Sequence, residues 1–363
     1  MADVARLAGV APITVSRVIN HHPLVTPDTR SRVEAAIAQL GYRSNMAART
    51  LAGGRSRVIG VVGVETELYG PSHVLFGIEA AARTTDHSVN FVMVKEPRVA
   101  ELEEAFNRLN DAHAEGVVVL APVRDAVDAL AHIRPSVPFV VTSALDGTLA
   151  TVSIDQSFGA RLATAHLLDL GHQTVHHVRG PKGWLDAEAR VEGWRKELRA
   201  RRCTAPKVLM GDWTARSGYE AGTALAADSS VTSIFAANDQ MALGVMLAVR
   251  DAGKRVPEDI SVVGFDNVPD SEFFSPPLTT VHQDLREVGS RVLQLLLELI
   301  DGAPTTSVRL EPTLVVRSST APVHGPSAGA TPRRARGSRR RVDLMACWCG
   351  RARRPGRSRA DGA

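Results

Sequence analysis

Apolar residues recur along this chain with two different periods. Over the first forty residues the spacing is helical. Val4, Leu7 and Ala8 fall on one face, Gly9 interrupts, and Val15, Val18 and Ile19 resume the face on a second short helix. Thr26-Pro27-Asp28 then reads as a helix start: a hydroxyl N-cap, proline at the first helical position and an acid in the first turn. The helix it opens is expected to bury Val33, Ile37 and Leu40 and to stop at Gly41. From residue 58 the pattern changes. Residues 58–64 form a continuous apolar run, as expected of a strand covered on both faces. Further strands are predicted over 89–94, 116–121, 139–142, 175–178, 208–211, 233–237 and 260–265. Amphipathic helical segments at 101–110, 158–170, 188–200, 219–227 and 241–252 separate them. This alternation implies parallel sheets. It is too long for one sheet, so a break is placed near 150–155 and two α/β lobes are expected, with returning segments near 280 and 316.

The first two helices point to a partner. Pro12, Ile13, Thr14, Ser16 and Arg17 lie off the apolar face of the second helix. A short helix that shows small, polar and basic groups can enter a DNA major groove and meet base edges and phosphates. Residues 45–54 are too few for a stable isolated helix but could form one when docked on DNA. Charge follows the same plan. Residues 1–57 carry net +5 and residues 321–363 carry +9, which leaves 58–320 at −10 within a chain of +4. The high isoelectric point belongs to the two ends, and a basic head on an acidic body suits a protein whose head alone touches phosphate.

In open parallel sheets, ligands bind beyond the strand C-termini, which for two facing lobes means the cleft between them. Polar and aromatic residues just past the predicted strands are Leu68 to Ser72, Gly180-Pro181 with Trp184, Asp186 and Arg190, Asp212-Trp213, Asn238-Asp239, Asp266-Asn267 and Gln283-Asp284. Aromatic platforms beside carboxylates, amides and a guanidinium are what a sugar requires. Each hydroxyl donates and accepts, and the apolar ring face stacks. Taken singly, each has an ordinary reading: Arg190 a surface cation, Trp213 core, Asn238 and Asp266 caps. Met241 and Met246 read as core. His176-His177 would point to opposite faces of a strand and His21-His22 sits in a turn, so neither pair chelates a metal.

The string Thr14-Val15-Ser16-Arg17-Val18-Ile19-Asn20, the Leu40-Gly41-Tyr42 helix end and the Asn45, Ala47, Leu51-Ala52 segment resemble the headpiece and hinge of the lactose-repressor/galactose-repressor family of bacterial transcription regulators. In the body, residues 211–215, 237–244, 261–266 and 276–281 are similar to the lactose-repressor branch, and the resemblance covers about residues 2–318. It implies an all-α helix-turn-helix headpiece (1–44), a hinge helix and linker (45–57) and a periplasmic-binding-protein-like α/β core of two parallel-sheet lobes (58–320); beyond it, composition predicts a basic disordered tail (321–363). It implies DNA contacts by Pro12, Ile13, Thr14, Ser16, Arg17, Asn20, Asn45, Ala48 and Leu51, with Leu51 wedging a minor-groove step. It also implies effector contacts by Leu68, Trp184, Asp186, Arg190, Trp213, Asn238, Asp266 and Gln283. Several positions depart from the branch. Pro12 and Ile13 offer base edges no hydrogen-bond donor, so thymine methyls and a different operator are expected. Trp184 and Asp186 replace small hydroxyl residues, Thr142 replaces a carboxylate, and Ile154 and Leu285 replace aromatics, so the sugar should differ too. The chain opens almost on its first helix, where family members carry a few more residues; either the start lies upstream or the head is weakened.

The resemblance implies a homodimer on a pseudo-palindromic operator, a saccharide inducer of the β-galactoside or related disaccharide class, no enzyme activity and no cofactor. The tail has Pro, Gly, Ser and Arg in place of heptads, hence a dimer rather than a tetramer. Its composition also matches a read-through or frame-shifted gene end. Cys203, Cys347 and Cys349 suggest no disulfide framework, and a reducing cytoplasm is the simplest setting. No membrane-length apolar run, signal-peptide pattern, Walker loop, nucleophile elbow or zinc-protease helix occurs. A sugar-binding transport component and a corepressor-dependent regulator or activator are the alternative readings.

Overall fold

A computed structural model describes residues 1–19, 22–42, 55–64, 68–143 and 149–323. Three short helices form the head: α1 (Ala2–Ala8), α2 (Pro12–Ile19) and α3 (Pro27–Leu40). Gly9 adopts the left-handed conformation at φ 65, which turns the chain between the first two. Thr26 caps α3 by accepting from the Thr29 N–H, with Pro27 inside the first turn. The head core is Val4, Ala5, Ala8, Val15, Val18, Val33 and Ala36. Two expectations fail here. Leu7 is 46% exposed and Leu40 is 47% exposed, while Ala5 and Ala36 take the inward places. Small side chains let three short helices approach closely, and Leu7 and Leu40 are left on the rim.

The body holds two six-stranded sheets. The first runs β11-β5-β4-β3-β1-β2, from β1 (Val58–Val64), β2 (Ser88–Val94), β3 (Gly116–Leu120), β4 (Phe139–Thr142), β5 (Thr151–Ile154) and β11 (Ser307–Leu310), and every pair is parallel. The second runs β12-β10-β9-β8-β6-β7, from β6 (His176–Arg179), β7 (Leu209–Met210), β8 (Ser233–Ala236), β9 (Ser261–Asp266), β10 (Thr279–His282) and β12 (Thr313–Val315). It is parallel except where β12 runs antiparallel to β10. The segment expected as a break is itself β5. The chain passes into the second lobe just after it, returns after β10, and passes over once more between β11 and β12.

Helices cover both faces of each sheet. α4 (Tyr69–Thr84) and α11 (Leu285–Ile300) bury Val74, Ile78, Val288, Val292 and Leu296 on one face of the first sheet. α5 (Val99–Asp111) and α6 (Arg124–Leu130) bury Leu102, Phe106, Leu109 and Leu130 on the other. In the second lobe α7 (Gln156–Asp169) and α8 (Leu185–Ala200) pack on one face, and α9 (Ala215–Ala226) and α10 (Asp239–Asp251) on the other. Met241 and Met246 are core, as expected. At the α9–α10 crossing the backbones nearly touch. A methyl at Gly244 would stand 1.9 Å from the Ala215 carbonyl oxygen, and one at Gly218 would stand 2.2 Å from that of Met241. Among the described residues no helix is long and apolar enough to cross a membrane, and no group of His, Cys, Asp or Glu could hold a metal ion.

His177 is fully buried between the Phe235 ring (4.6 Å) and the Trp194 ring (5.4 Å), and its Nδ1 donates to the Phe235 carbonyl. Burial lowers its pKa to about 3. The unfolded chain therefore binds a proton below pH 6.5 that the folded chain refuses. Stability is full above 6.5 and falls as the pH drops toward 3. Between pH 7 and 5 this one group is expected to cost about 2 kcal/mol. Urea unfolding at the two pH values, compared with His177→Leu, isolates it; an equal loss in both proteins contradicts the assignment.

Candidate functional site

A cavity of about 240 Å³ lies between the two lobes at the C-terminal ends of their strands. All eight effector candidates line it: Leu68, Trp184, Asp186, Arg190, Trp213, Asn238, Asp266 and Gln283. Thr142, Ile154 and Leu285, the branch-specific departures, line it as well.

Arg190 organises the floor. It sits one turn into α8, is 4% exposed, and its guanidinium lies 3.8 Å from the centre of the Phe265 ring. Its Nε donates to Gln156 Oε1 at 2.9 Å and an Nη donates to the Ala237 carbonyl. Gln156 Nε2 donates to Gln283 Oε1 at 2.7 Å, and Gln283 Nε2 donates to Asp266 Oδ1 at 2.7 Å. Asp266 Oδ1 returns to Arg190 Nη2 at 3.5 Å, which closes a ring of four side chains. Three of them stand on the lobe crossings or at strand ends: Gln156 opens α7 one residue beyond β5, Gln283 directly follows β10, and Asp266 ends β9. The ring is therefore built where the chain passes between lobes.

Burial raises the carboxyl pKa values here. Asp266 is pushed up to about 6 by desolvation; Arg190 and Gln283 pull it back and Asp186 adds to the rise. Burial also raises Asp186, against the attraction of Arg190. Behind them Asp239 is raised to about 8 by burial and by Asp266. Its carboxylate accepts from Thr280 Oγ1 at 2.6 Å and from the Val268 N–H at 2.8 Å, so it fixes the turn after β9. Asp266 (φ 104) and Trp213 (φ 76) both hold left-handed backbone conformations. Each costs of order 1–3 kcal/mol in a residue with a side chain, and such strain collects at ligand sites.

The aromatic wall is Trp184 and Trp213, edge to face at 5.8 Å. Gly180 admits the Trp213 ring, since a methyl there would stand 2.3 Å from it. Asn238 has two tasks. Its Oδ1 caps α10 through the Met241 N–H, and its Nδ2 donates to the Trp213 carbonyl at 3.0 Å. Asn238 thus caps a helix and lines the cavity at once.

Sequence reasoning missed Gln156, Ser143, Ser153 and Gln240, all of which line the cavity. The rule of looking past strand ends finds Gln156 once β5 is known as a strand; Ser153 lies within β5 itself.

In the head, Pro12 opens α2, and Pro12, Ile13 and Arg17 are exposed while Thr14 and Ser16 are half-buried. Ile13 is 60% exposed, an apolar side chain presented outward beside a basic one. Asn20, Asn45, Ala48 and Leu51 lie outside the described residues.

Residues 1–45 match the model of bacterial regulatory proteins of the lacI family, and residues 164–320 match the periplasmic binding protein-like domain. The chain is 36% identical to the lactose operon repressor of Escherichia coli (strain K12), over 88% of this chain and 89% of that protein. Among solved structures it is similar to the Lac repressor dimer bound to operator and the anti-inducer ONPF. There the TM-score is 0.80 at 36% identity, over 88% of this chain and 98% of that one. A complex of the transcriptional regulator CelR with cellobiose is similar with a TM-score of 0.66 at 31% identity, over 87% and 98%.

Proposed function

The chain belongs to the lacI family of bacterial regulatory proteins and is a DNA-binding transcriptional repressor with a ligand-binding core; from that premise we propose that a saccharide in the inter-lobe cavity releases it from its operator. Its relatives are regulators, not enzymes. Two copies place two heads on a pseudo-palindromic operator, as in the operator-bound dimer it resembles. Residues 1–44 form the DNA-binding head, 45–57 the hinge, 58–320 the ligand and dimer core and 321–363 a basic tail. Pro12, Ile13, Thr14, Ser16 and Arg17 read the major groove, with thymine methyls the natural partners of Ile13.

The observation that carries the saccharide assignment is the ring of Arg190, Gln156, Gln283 and Asp266 beneath two tryptophans. It offers amide, guanidinium and carboxylate partners to neutral hydroxyls, and ring faces to the apolar side of a pyranose. The similar CelR complex names cellobiose, a disaccharide, and a β-galactoside or related disaccharide is the favoured class here. Trp184 and Asp186 shape its specificity. Sugar binding changes the relation of the lobes and weakens operator binding; about 1.4 kcal/mol of coupling is tenfold in affinity.

Fluorescence anisotropy on the gene's own upstream DNA, at fixed salt and with a panel of mono- and disaccharides, tests this. Tight binding lost on addition of one sugar is expected. Binding that appears only with a small molecule present would select corepressor logic instead.

A further inference from the structure

The lobes also meet at the rim of the cavity. β3 leads through Ala121, Pro122 and Val123 into α6, and in the other lobe Gly183 and Trp184 lead into α8. Val123 and Trp184 pair as an antiparallel bridge. The Arg124 N–H donates to the Gly183 carbonyl at 2.9 Å, and the Leu185 N–H donates to the Pro122 carbonyl at 3.0 Å. Arg124 and Leu185 are the first residues of their helices, and neither helix has a side-chain N-cap. First-turn N–H groups have no partner within their own helix. Each lobe therefore caps a helix of the other, reciprocally. An ion pair adds to this: Arg124 Nη2 lies 2.6 Å from Glu188 Oε2, while Glu188 Oε1 accepts from the Gly183 N–H at 3.3 Å. Pro122 and Trp184 line the cavity, as do Ile154, Gln156, Gln283 and Leu285 at the covalent crossings. The cavity is thus bounded by the chain crossings and by this non-covalent clasp.

We propose that the clasp gates ligand exchange, with Arg124 and Glu188 as the residues that hold Trp184 over the cavity; the ligand's being the effector rests on the function proposed above. Opening requires two inter-lobe N–H···O=C bonds and one ion pair to part, all within seven residues of the cavity-lining Trp184 or Pro122. Both side chains of the pair are partly solvated, 51% and 36% exposed, so the pair alone is weak. The backbone bonds act with it, because Arg124 supplies both an N–H and a guanidinium.

That double role gives a clean test. Proline is well tolerated at the first position of a helix, and Val123 already has the extended backbone (φ −114, ψ 148) that a following proline demands. Arg124→Pro thus removes one inter-lobe hydrogen bond and the ion pair while leaving α6 able to form. The full chain, R124P, R124E, E188R and the R124E/E188R swap are compared by acrylamide quenching of tryptophan and by thermal unfolding. All proteins compared carry Trp348→Phe and Trp194 is fully buried in the second lobe, so changes in quenching report mainly on Trp184 and Trp213. Quenching in R124P and E188R is expected to rise at least about twofold, with the swap returning toward the parent and unfolding temperatures unchanged. Stopped-flow tryptophan fluorescence with lactose and with cellobiose is expected to show both association and release accelerated about threefold or more in R124P. Parental quenching in a folded R124P, or in R124E and E188R if R124P does not fold, overturns the clasp. If neither sugar binds the parent, lactose and cellobiose are excluded as the effector while the quenching comparison still decides the clasp.

Discussion

Replacing Arg190 with Met is expected to give a protein that holds its operator and no longer hears its sugar. Met fills much of the same volume beside Phe265 and Trp213 but supplies no donor. Gln156 Oε1 and the Ala237 carbonyl lose their partner, and Asp266 loses its cation. Unpaired buried acceptors cost about 1–3 kcal/mol each, more when charged. Asp266 has an escape, because burial already raises its pKa to about 6 and the loss of Arg190 raises it further, toward the neutral form. The fold is spared much of the penalty, while the ring that would meet the sugar is dismantled. Saccharide affinity is expected to fall by about 100-fold or more, which is roughly 2.7 kcal/mol. Operator affinity without sugar should stay within about threefold, since no contact of Arg190 reaches the head. Arg190→Lys should fail nearly as badly, because an ammonium cannot serve Gln156, Ala237 and Asp266 with one fixed fork. Titration calorimetry and operator anisotropy separate the two effects. An R190M protein still released by the parent's sugar at the parent's concentration would remove Arg190 from the site.

The second large effect lies far from the ligand. Gly244→Ala adds one methyl to the α9–α10 contact, 1.9 Å from the Ala215 carbonyl oxygen and 2.6 Å from the Tyr219 nitrogen. Both atoms are helix backbone and cannot rotate away. The two helices must separate, which opens the packing of Leu225, Val245 and Val249 beneath them. Overpacking commonly costs 1–3 kcal/mol, and with backbone on the opposing side about 3 kcal/mol is expected. The urea midpoint should fall with little change in slope. A solvent-facing control is Gly171→Ala, where no atom lies within 4 Å but φ is 91, so only backbone strain is probed. A midpoint for G244A equal to that of the parent would mean the helices are less tightly apposed than described.

Long apolar runs were readable as strands wherever burial on both faces left no polar residue in the run. Val58–Val64 and Gly116–Leu120 are of this kind. β5 escaped because it alternates Thr, Val, Ser and Ile, although all four residues are buried. Thr151 is accommodated by a hydrogen bond to Ser307 of β11, 156 positions away, a partner that no local window contains. β11 escaped for a related reason: as an edge strand of Ser, Val, Arg and Leu it is only partly buried. Losing β5 also hid Gln156, one of the four members of the buried ring. The eight effector candidates, legible past the predicted strand ends and singled out by the family resemblance, do converge on one cavity; taken singly, Arg190 reads as a surface cation although it is buried, while Trp213 is both core and cavity wall. In the head, helical spacing fixed the right faces but not which neighbour points inward, because the choice between Leu7 and Ala5 depends on how closely the helices approach.

The threefold passage of the chain between lobes has a consequence during synthesis. β5 waits for β11, and β10 for β12, so neither sheet is complete until residues near 315 have emerged. From Ile154 to Ser307 the ribosome needs roughly 8–30 s at about 5–20 residues per second. Through that interval the nascent first lobe carries an unpaired edge at β5 and lacks α11, the helix that covers one of its faces. Domain-by-domain folding from the N-terminus is therefore closed to this body. Its two lobes must finish together, and a ribosome stalled between residues 282 and 307 leaves β5 and β10 both without their outer partners at once.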